Sequence, residues 1–382
     1  MRILIVGAGI AGLSLTVLLR QRGLNPTLIE KSESFGSAGY MLGLYPTGAN
    51  VLRSLNGYKS YLDVSVAGKG YEAYNDKSQL LKQFSFAPMI EGYGPYQLVT
   101  RYDLLDVIYQ TCKDLRVRFN TQISSLTQTE HEVKVVFSDQ SQADFDLVVG
   151  ADGLHSQIRS FILKDNEYHY FHTGWGGWVW WDNNHVVPEN TIQEFWGKGV
   201  FLGMYPVRGK TGMIAAVDSP SAETALKGRS RKEYIIERFS EIRKSRPEVF
   251  AELPSDDQSV FFWPLSDQRA TKWHKGRVVL LGDAATAFLP TAGIGATMAL
   301  ESAAVLNDIL SRTGVEFVQQ ALDLFEKRRR TRVERAQNDS RRLAKLMFVS
   351  FSWGVWIRDF FTRMMSVKSL MKGIMKGFNE PI

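Results

Sequence analysis

Residues 1–31 read MRILIVGAGIAGLSLTVLLRQRGLNPTLIEK, and this stretch decides the fold. Arg2–Val6 is a short β-branched apolar run, the pattern of a buried parallel strand. Gly7, Gly9 and Gly12 follow as G-x-G-x-x-G, with Ala11 inside the motif. The first glycine allows a tight turn. The second lets backbone approach a pyrophosphate, and the third lets a helix pack closely on the strand. The helix that starts there offers free N–H groups and a partial positive charge to a phosphate. A second strand, Pro26–Glu30, ends on an acid about 20 residues further on, where a carboxylate can bond a ribose hydroxyl. Gly7, Gly9, Ala11, Gly12, Glu30 and its neighbour Lys31 are therefore candidate contacts for an adenine dinucleotide. A purely structural glycine turn is the alternative.

Two stretches far downstream narrow the reading. Asp146–Arg159, DLVVGADGLHSQIR, places Asp152–Gly153 just past a strand end. Val278–Glu301, VVLLGDAATAFLPTAGIGATMALE, places Gly282–Asp283 after a strand at Arg277–Leu281, with Pro290 and Gly293-Ile294-Gly295 before a helix. Ligands of open α/β sheets sit beyond the carboxyl ends of the strands. With the N-terminal fingerprint, these stretches resemble the three signatures of the single-component (group A) FAD-dependent aromatic hydroxylases, the para-hydroxybenzoate hydroxylase-like monooxygenases. The resemblance runs from residue 1 to 345, in the family's order.

That resemblance implies an α/β fold: a Rossmann-type FAD-binding domain with a mostly parallel sheet, an antiparallel-sheet substrate domain, and C-terminal helices. It places Asp152 near the FAD pyrophosphate and the path of the nicotinamide donor. Arg159 holds that segment and the incoming cofactor's phosphates. Asp283 accepts from the ribityl chain, for which a carboxylate suits because it takes several hydroxyl donors. Pro290, Gly293, Gly295 and Ala296 meet the flavin pyrimidine edge, where a helix dipole stabilises the anionic reduced ring. Arg101, which opens the stretch RYDLLDVI, binds FAD phosphate or ribose. The segment Gly39–Gly43 passes beside the isoalloxazine. Three positions depart from the family pattern: Thr286 for the usual His, Ile294 for Gln and Ser302 for Asp.

The implied activity is a monooxygenase in which NADPH or NADH, a transient co-substrate, reduces FAD. O2 then gives a C4a-hydroperoxyflavin that hydroxylates a small molecule. The chemistry is the cofactor's, so no catalytic side chain is expected; the protein orients substrate, keeps the site dry and gates the flavin. Only one dinucleotide fingerprint is present, so the nicotinamide donor binds over shared surface. An FAD-dependent dehydrogenase or reductase of the same fold, or a flavin-binding protein without turnover, are the alternatives. The chain also loosely resembles urate-, quinolone- and tetracycline-hydroxylating members. The urate enzymes carry a pocket arginine on the strand equivalent to Val200–Val207, and here Phe201 stands there. An aromatic favours an apolar aromatic or polycyclic substrate over a small anion. Trp178, Trp180, Phe201, Met213 and Pro290 are the candidate pocket residues.

Composition fits this reading. At 382 residues with 44% hydrophobic content the chain can bury a large core in two domains. A single cysteine, Cys112, rules out an internal disulfide and suits a reducing cytoplasm. The first apolar run is too short for a secretory signal. The net charge of +6 is concentrated in Lys327–Lys345, read as a solvated helix face and not as a nucleic-acid site. The histidines show no metal-ligand spacing, so no metal is expected. Partners are a small-molecule substrate and O2, for a monomer or homodimer.

Along the chain, a helix is expected over Thr100–Cys112, capped by Thr100. Short strands of a meander are expected at Val117–Phe119, Ile123–Leu126 and Val133–Phe137, and a further strand at Leu147–Val149. Between residues 168 and 263, segments with period two predict an antiparallel sheet: Gly174–Trp181, Ile192–Trp196, Phe201–Val207, Met213–Val217 and Val260–Pro264. One helix, Arg231–Arg243, interrupts them. Gly293–Ile309 and Phe317–Lys345 read as helices. The expected division is 1–70, 98–167 and 273–345 for FAD, 71–97 and 168–272 for substrate, and a C-terminal helical segment at 346–382. Within the last, Met347–Met365 is too short and too charged to span a bilayer. It reads as a core or pocket-closing helix, or as a membrane-surface helix followed by Lys368, Lys372 and Lys376.

Overall fold

The computed structural model describes residues 1–36, 40–184, 186–254, 260–378 and 380, with backbone alone at 368, 370–372 and 374. Gly39 and His185 lie outside the described residues, as do the side chains of Lys368 and Lys372.

A six-stranded sheet forms the base, in the order 274–275, 278–280, 147–150, 3–6, 27–29, 117–118. Its pairs are parallel except at the 274–275 edge. Ile3–Val6 is buried throughout, as a central parallel strand covered on both faces must be. One cover is the helix Ile10–Gln21, whose residues 11–19 are all buried, and it packs against the helix Gly295–Leu310.

Val117 was expected in a meander, but Val117–Arg118 pairs parallel with Leu28–Ile29 and closes the edge of the base sheet. The meander comprises Ile123–Gln128, Val133–Phe137 and Gln142–Phe145. Asn120, in the left-handed region at φ 51°, redirects the chain between the two sheets.

A seven-stranded sheet lies beyond, in the order 261–270, 168–182, 210–217, 200–207, 191–196, 70–75, 80–85. It is not purely antiparallel, because Gly70–Asn75 runs parallel to Thr191–Trp196. A parallel pair needs a long crossover, and the intervening chain returns through the base sheet. The strand begun at Phe261 continues to Ala270. The helix expected over Arg231–Arg243 is two, Arg231–Arg238 and Ser240–Ser245, jointed at the buried Phe239.

The long helix Val318–Met347 ends before a second helix, Ser352–Met364, and a third, Val367–Phe378. Below the long helix the Glu301 carboxylate, fully buried, accepts from Arg332 Nη2 at 2.7 Å and Arg329 Nη2 at 2.9 Å. Arg329 Nε also donates to Ser302 Oγ at 3.2 Å, so the serine that departs from the family pattern takes part in this brace.

Candidate functional site

Each of the three fingerprint glycines has its own reason. A Cβ on Gly7, whose φ is +102°, would lie 2.4 Å from the Ala151 carbonyl oxygen. One on Gly12 would lie 2.0 Å from the Gly7 carbonyl oxygen. Those two glycines let turn, helix and neighbouring strand touch. A Cβ on Gly9 would meet nothing within 4 Å, since that position faces open space at the helix N-terminus.

The space is a cavity of about 910 Å³ between the two larger sheets. Gly9, Ile10 and Ala11 line one side; Gly293, Ile294, Gly295 and Ala296 line another. Neither helix start carries a side-chain cap. Two sets of unpaired backbone N–H groups, each with its partial positive charge, therefore belong to one cavity. Gly293 turns in the left-handed region at φ +59°, just after the tight turn at Pro290.

Asp283 lines the cavity and is open to that space. Desolvation by the surrounding protein pushes its carboxyl up to about 6, with Arg101 pulling the other way. Arg101 also lines the cavity, at the start of a helix capped by the Thr100 hydroxyl, and donates to the Phe35 carbonyl at 3.2 Å. Gly43 lines it as well. A Cβ there would lie 2.0 Å from the Tyr96 hydroxyl, so the glycine is what lets Tyr96 pack.

Toward the seven-stranded sheet the cavity becomes an aromatic chamber, with Tyr40 against Trp263 (5.1 Å) and Tyr96 against both Tyr45 and Phe86 (4.8 Å each). Phe201 and Pro290 are in its wall, as expected. A buried carboxylate stands among these rings. Glu194 accepts from Tyr71 at 2.5 Å, Tyr205 at 2.8 Å and Trp196 Nε1 at 2.9 Å. Burial pushes its carboxyl above the usual range against those three donors. The only sequence signal for it was an acid at an inward position of an apolar strand, alternating with Ile192 and Trp196.

Several expected residues stand outside the cavity lining. Glu30 closes the glycine turn, accepting from Ala8 N at 2.8 Å and Ser32 N at 3.0 Å; Glu30 and the exposed Lys31 stand outside the cavity lining. Ala151 and Gly153 line the cavity, but Asp152 turns back on its own loop, accepting from Ser156 Oγ (2.6 Å) and Ile158 N (3.0 Å). Arg159 is 2% exposed. Its Nη1 donates to Gln268 and the Ala284 carbonyl, and its Nη2 to the Leu154 carbonyl and Tyr170. It braces the loop, and the phosphate contact expected of it is not available to a guanidinium so enclosed.

Trp178, Trp180 and Met213 are not in the chamber. Trp180 pairs with Met213 and Trp178 with Ala215, on the opposite face of the sheet from Gly177 and Ile214. There they form a second core with Ile235 and Phe239, under the paired helices. Strand alternation put all three on one face; the helices 231–245 cover that face and make it core.

The comparisons with known proteins converge on one family. The family described as "FAD binding domain" matches residues 1–340. The 3-amino-4-hydroxybenzoate 2-monooxygenase of Streptomyces cremeus is 30% identical over 354 residues, covering 90% of this chain and 87% of its own. The aurachin C monooxygenase/isomerase of Stigmatella aurantiaca is 28% identical over 383 residues, covering 95% and 94%. Among solved structures, Klebsiella pneumoniae HpxO complexed with FAD and uric acid superposes with a TM-score of 0.87, at 23% identity over 99% of this chain and 96% of its own, a likeness of fold.

Proposed function

This chain belongs to the FAD-binding family of aromatic-hydroxylase-type flavin monooxygenases and is a flavoprotein monooxygenase; from that premise we propose that it uses NADPH or NADH and O2 to hydroxylate an apolar aromatic or polycyclic small molecule. The observation that carries this reading is the convergence of two uncapped helix starts, the open Gly9 position and Asp283 on one cavity that continues into an aromatic chamber.

The residues fit FAD. The Gly7–Gly12 turn with Ala11 would receive the pyrophosphate, and Glu30 with Lys31 the adenosine end. Arg101 and Asp283 would take phosphate and ribityl hydroxyls. Pro290, Gly293, Gly295 and Ala296 would meet the pyrimidine edge. When bound, FAD would supply the redox chemistry, accepting reducing equivalents from the nicotinamide donor and activating O2, with one oxygen atom destined for the substrate and the other for water.

The chain's own part is to bind, orient and exclude water. Tyr71 and Tyr205 each donate to Glu194, so their hydroxyl oxygens keep acceptor capacity for a substrate N–H or O–H. A substrate carboxylate there would meet the Glu194 carboxylate, unfavourable at such burial. A ring system bearing a neutral donor is thereby preferred over an anion. The division into an FAD-binding part (1–70, 98–167, 273–345) and a substrate-binding part (71–97, 168–272) is part of this proposal, supported by the separate base and seven-stranded sheets. The lone Cys112 supports a cytoplasmic setting.

The test is oxygen uptake by the FAD-loaded protein with NADPH or NADH and polycyclic aromatics that carry an N–H or O–H, beside their carboxylated analogues. The expected result is uptake coupled to incorporation of labelled oxygen into the neutral ligands. Ligand oxidation that needs no nicotinamide donor would make the protein a dehydrogenase instead.

A further inference from the structure

The helix Ser352–Met364 has its polar face inside and its apolar face outside. Arg358, 3% exposed, donates to the Trp196 carbonyl at 2.6 Å and to Asp359 Oδ1 at 2.7 Å, and Thr362 is fully buried beside it. The residues turned outward are Trp353 (69% exposed), Trp356 (71%), Phe360, Phe361 and Met364 (72%). Trp353, Trp356, Phe360 and Met364 fall at i, i+3, i+7 and i+11, one stripe along the helix. Trp356 stacks on Phe360, with ring centroids 6.1 Å apart. Soluble surfaces seldom carry so continuous an apolar stripe unless something covers it.

We propose that this stripe docks on an anionic lipid surface. Three observations select that occupant. Tryptophan and phenylalanine on a helix lying flat are the side chains that settle at the boundary of headgroup and acyl chain. Residues 341–382 carry eight Lys or Arg against two acids, a surplus equal to the +6 of the whole chain. Arg363 lies on the same helix, and Arg342, Lys345 and Lys376 on its neighbours, all exposed. A second copy of the chain would bring this same basic segment against itself, an unfavourable pairing, whereas acidic headgroups complement it. The helix lies on the surface and does not span: it has 13 residues and holds Arg358 and Asp359.

The opposite face of this helix and the chain just after it border the cavity. Thr362, Met365 and Ser369 form part of the cavity wall, and Lys82 Nζ, also in that wall, holds the carbonyls of Arg363 and Met365. The docking stands on the helix alone, and its failure would leave the flavin reading intact.

The experiment is co-sedimentation of the FAD-loaded full chain with vesicles of phosphatidylcholine containing phosphatidylglycerol, with pure phosphatidylcholine vesicles in parallel. The variant Trp353→Ser/Trp356→Ser/Phe360→Ser removes the stripe at exposed positions, and its melting temperature is checked against wild type. Arg363→Glu is a second variant. Expected are sedimentation with the anionic vesicles that weakens in high salt, a loss of at least about tenfold in the triple variant, and a smaller loss in Arg363→Glu. Wild type that stays in the supernatant overturns the proposal, as does equal binding by a folded triple variant. A wild-type dimer that the triple variant converts to monomer would also overturn it, because the face would then be a contact between copies.

Discussion

Asp283 is the residue on which cofactor binding and pH meet. Its carboxyl is pushed up to about 6 by desolvation, above its ordinary value. A carboxyl raised in the folded state stabilises the fold while protonated, and that contribution is lost as pH rises through the raised value. The FAD-free protein should thus lose stability between pH 4 and pH 7 at this site. Water in the open cavity screens the charge and keeps the effect modest. Asp283→Asn should melt higher than wild type at pH 7 and equal to it at pH 4. FAD affinity should move oppositely, weakening in the variant, because the ionised carboxylate is the better acceptor for ribityl hydroxyls. Melting curves and FAD fluorescence titrations across this range check both; a pH-independent difference between the two proteins would rule out titration of Asp283.

Elements explain what side chains alone do not. Between the Gly295–Leu310 and Val318–Met347 helices, burial by itself would raise the Glu301 carboxyl, but Arg332 and Arg329 overcome it and hold the carboxyl below its usual range. Its contribution to stability is therefore present at neutral pH and lost only as pH falls through that lowered value. Glu301→Gln would leave two guanidinium groups facing a neutral amide in a buried site, a loss of about 3–5 kcal/mol. Urea unfolding near pH 7 reads this as a lowered midpoint, and an unchanged midpoint would contradict the brace. The faces of the large sheet separate in the same way. Trp178→Ala should cost about 3–5 kcal/mol of stability and leave KM for a turned-over aromatic unchanged. Phe201→Ala, which also removes a buried aromatic, should in addition change KM. A shift in KM from Trp178→Ala would return that residue to the chamber.

At the scale of the molecule, the legible parts were those encoded by neighbours in sequence. The strand–glycine–helix start and the Gly293–Gly295 turn are local backbone patterns, and their positions on the cavity follow from them. The chamber was not legible, because it is made by contacts such as Tyr71 with Glu194, 123 residues apart. Period two told which residues share a face but not which face a helix would cover, hence the misplaced Trp178, Trp180 and Met213. The Met347–Met365 segment read as a core or pocket-closing helix, or as a membrane-surface helix, and composition could not tell which face would be buried. The Arg358 contacts with the Trp196 turn hold its polar residues inward and leave its aromatic stripe in solvent.

FAD is expected to lie against the Gly9 turn in the cavity between the two sheets. The most direct measurement is a fluorescence titration of FAD with the cofactor-stripped protein, run beside Gly9→Val. A Cβ at that position meets no protein atom within 4 Å and φ is not in the left-handed region, so the variant should fold and melt as wild type does. Saturable quenching by wild type and its loss in the folded variant are expected. Quenching of equal affinity by both proteins, or none by a folded wild type, would contradict that placement.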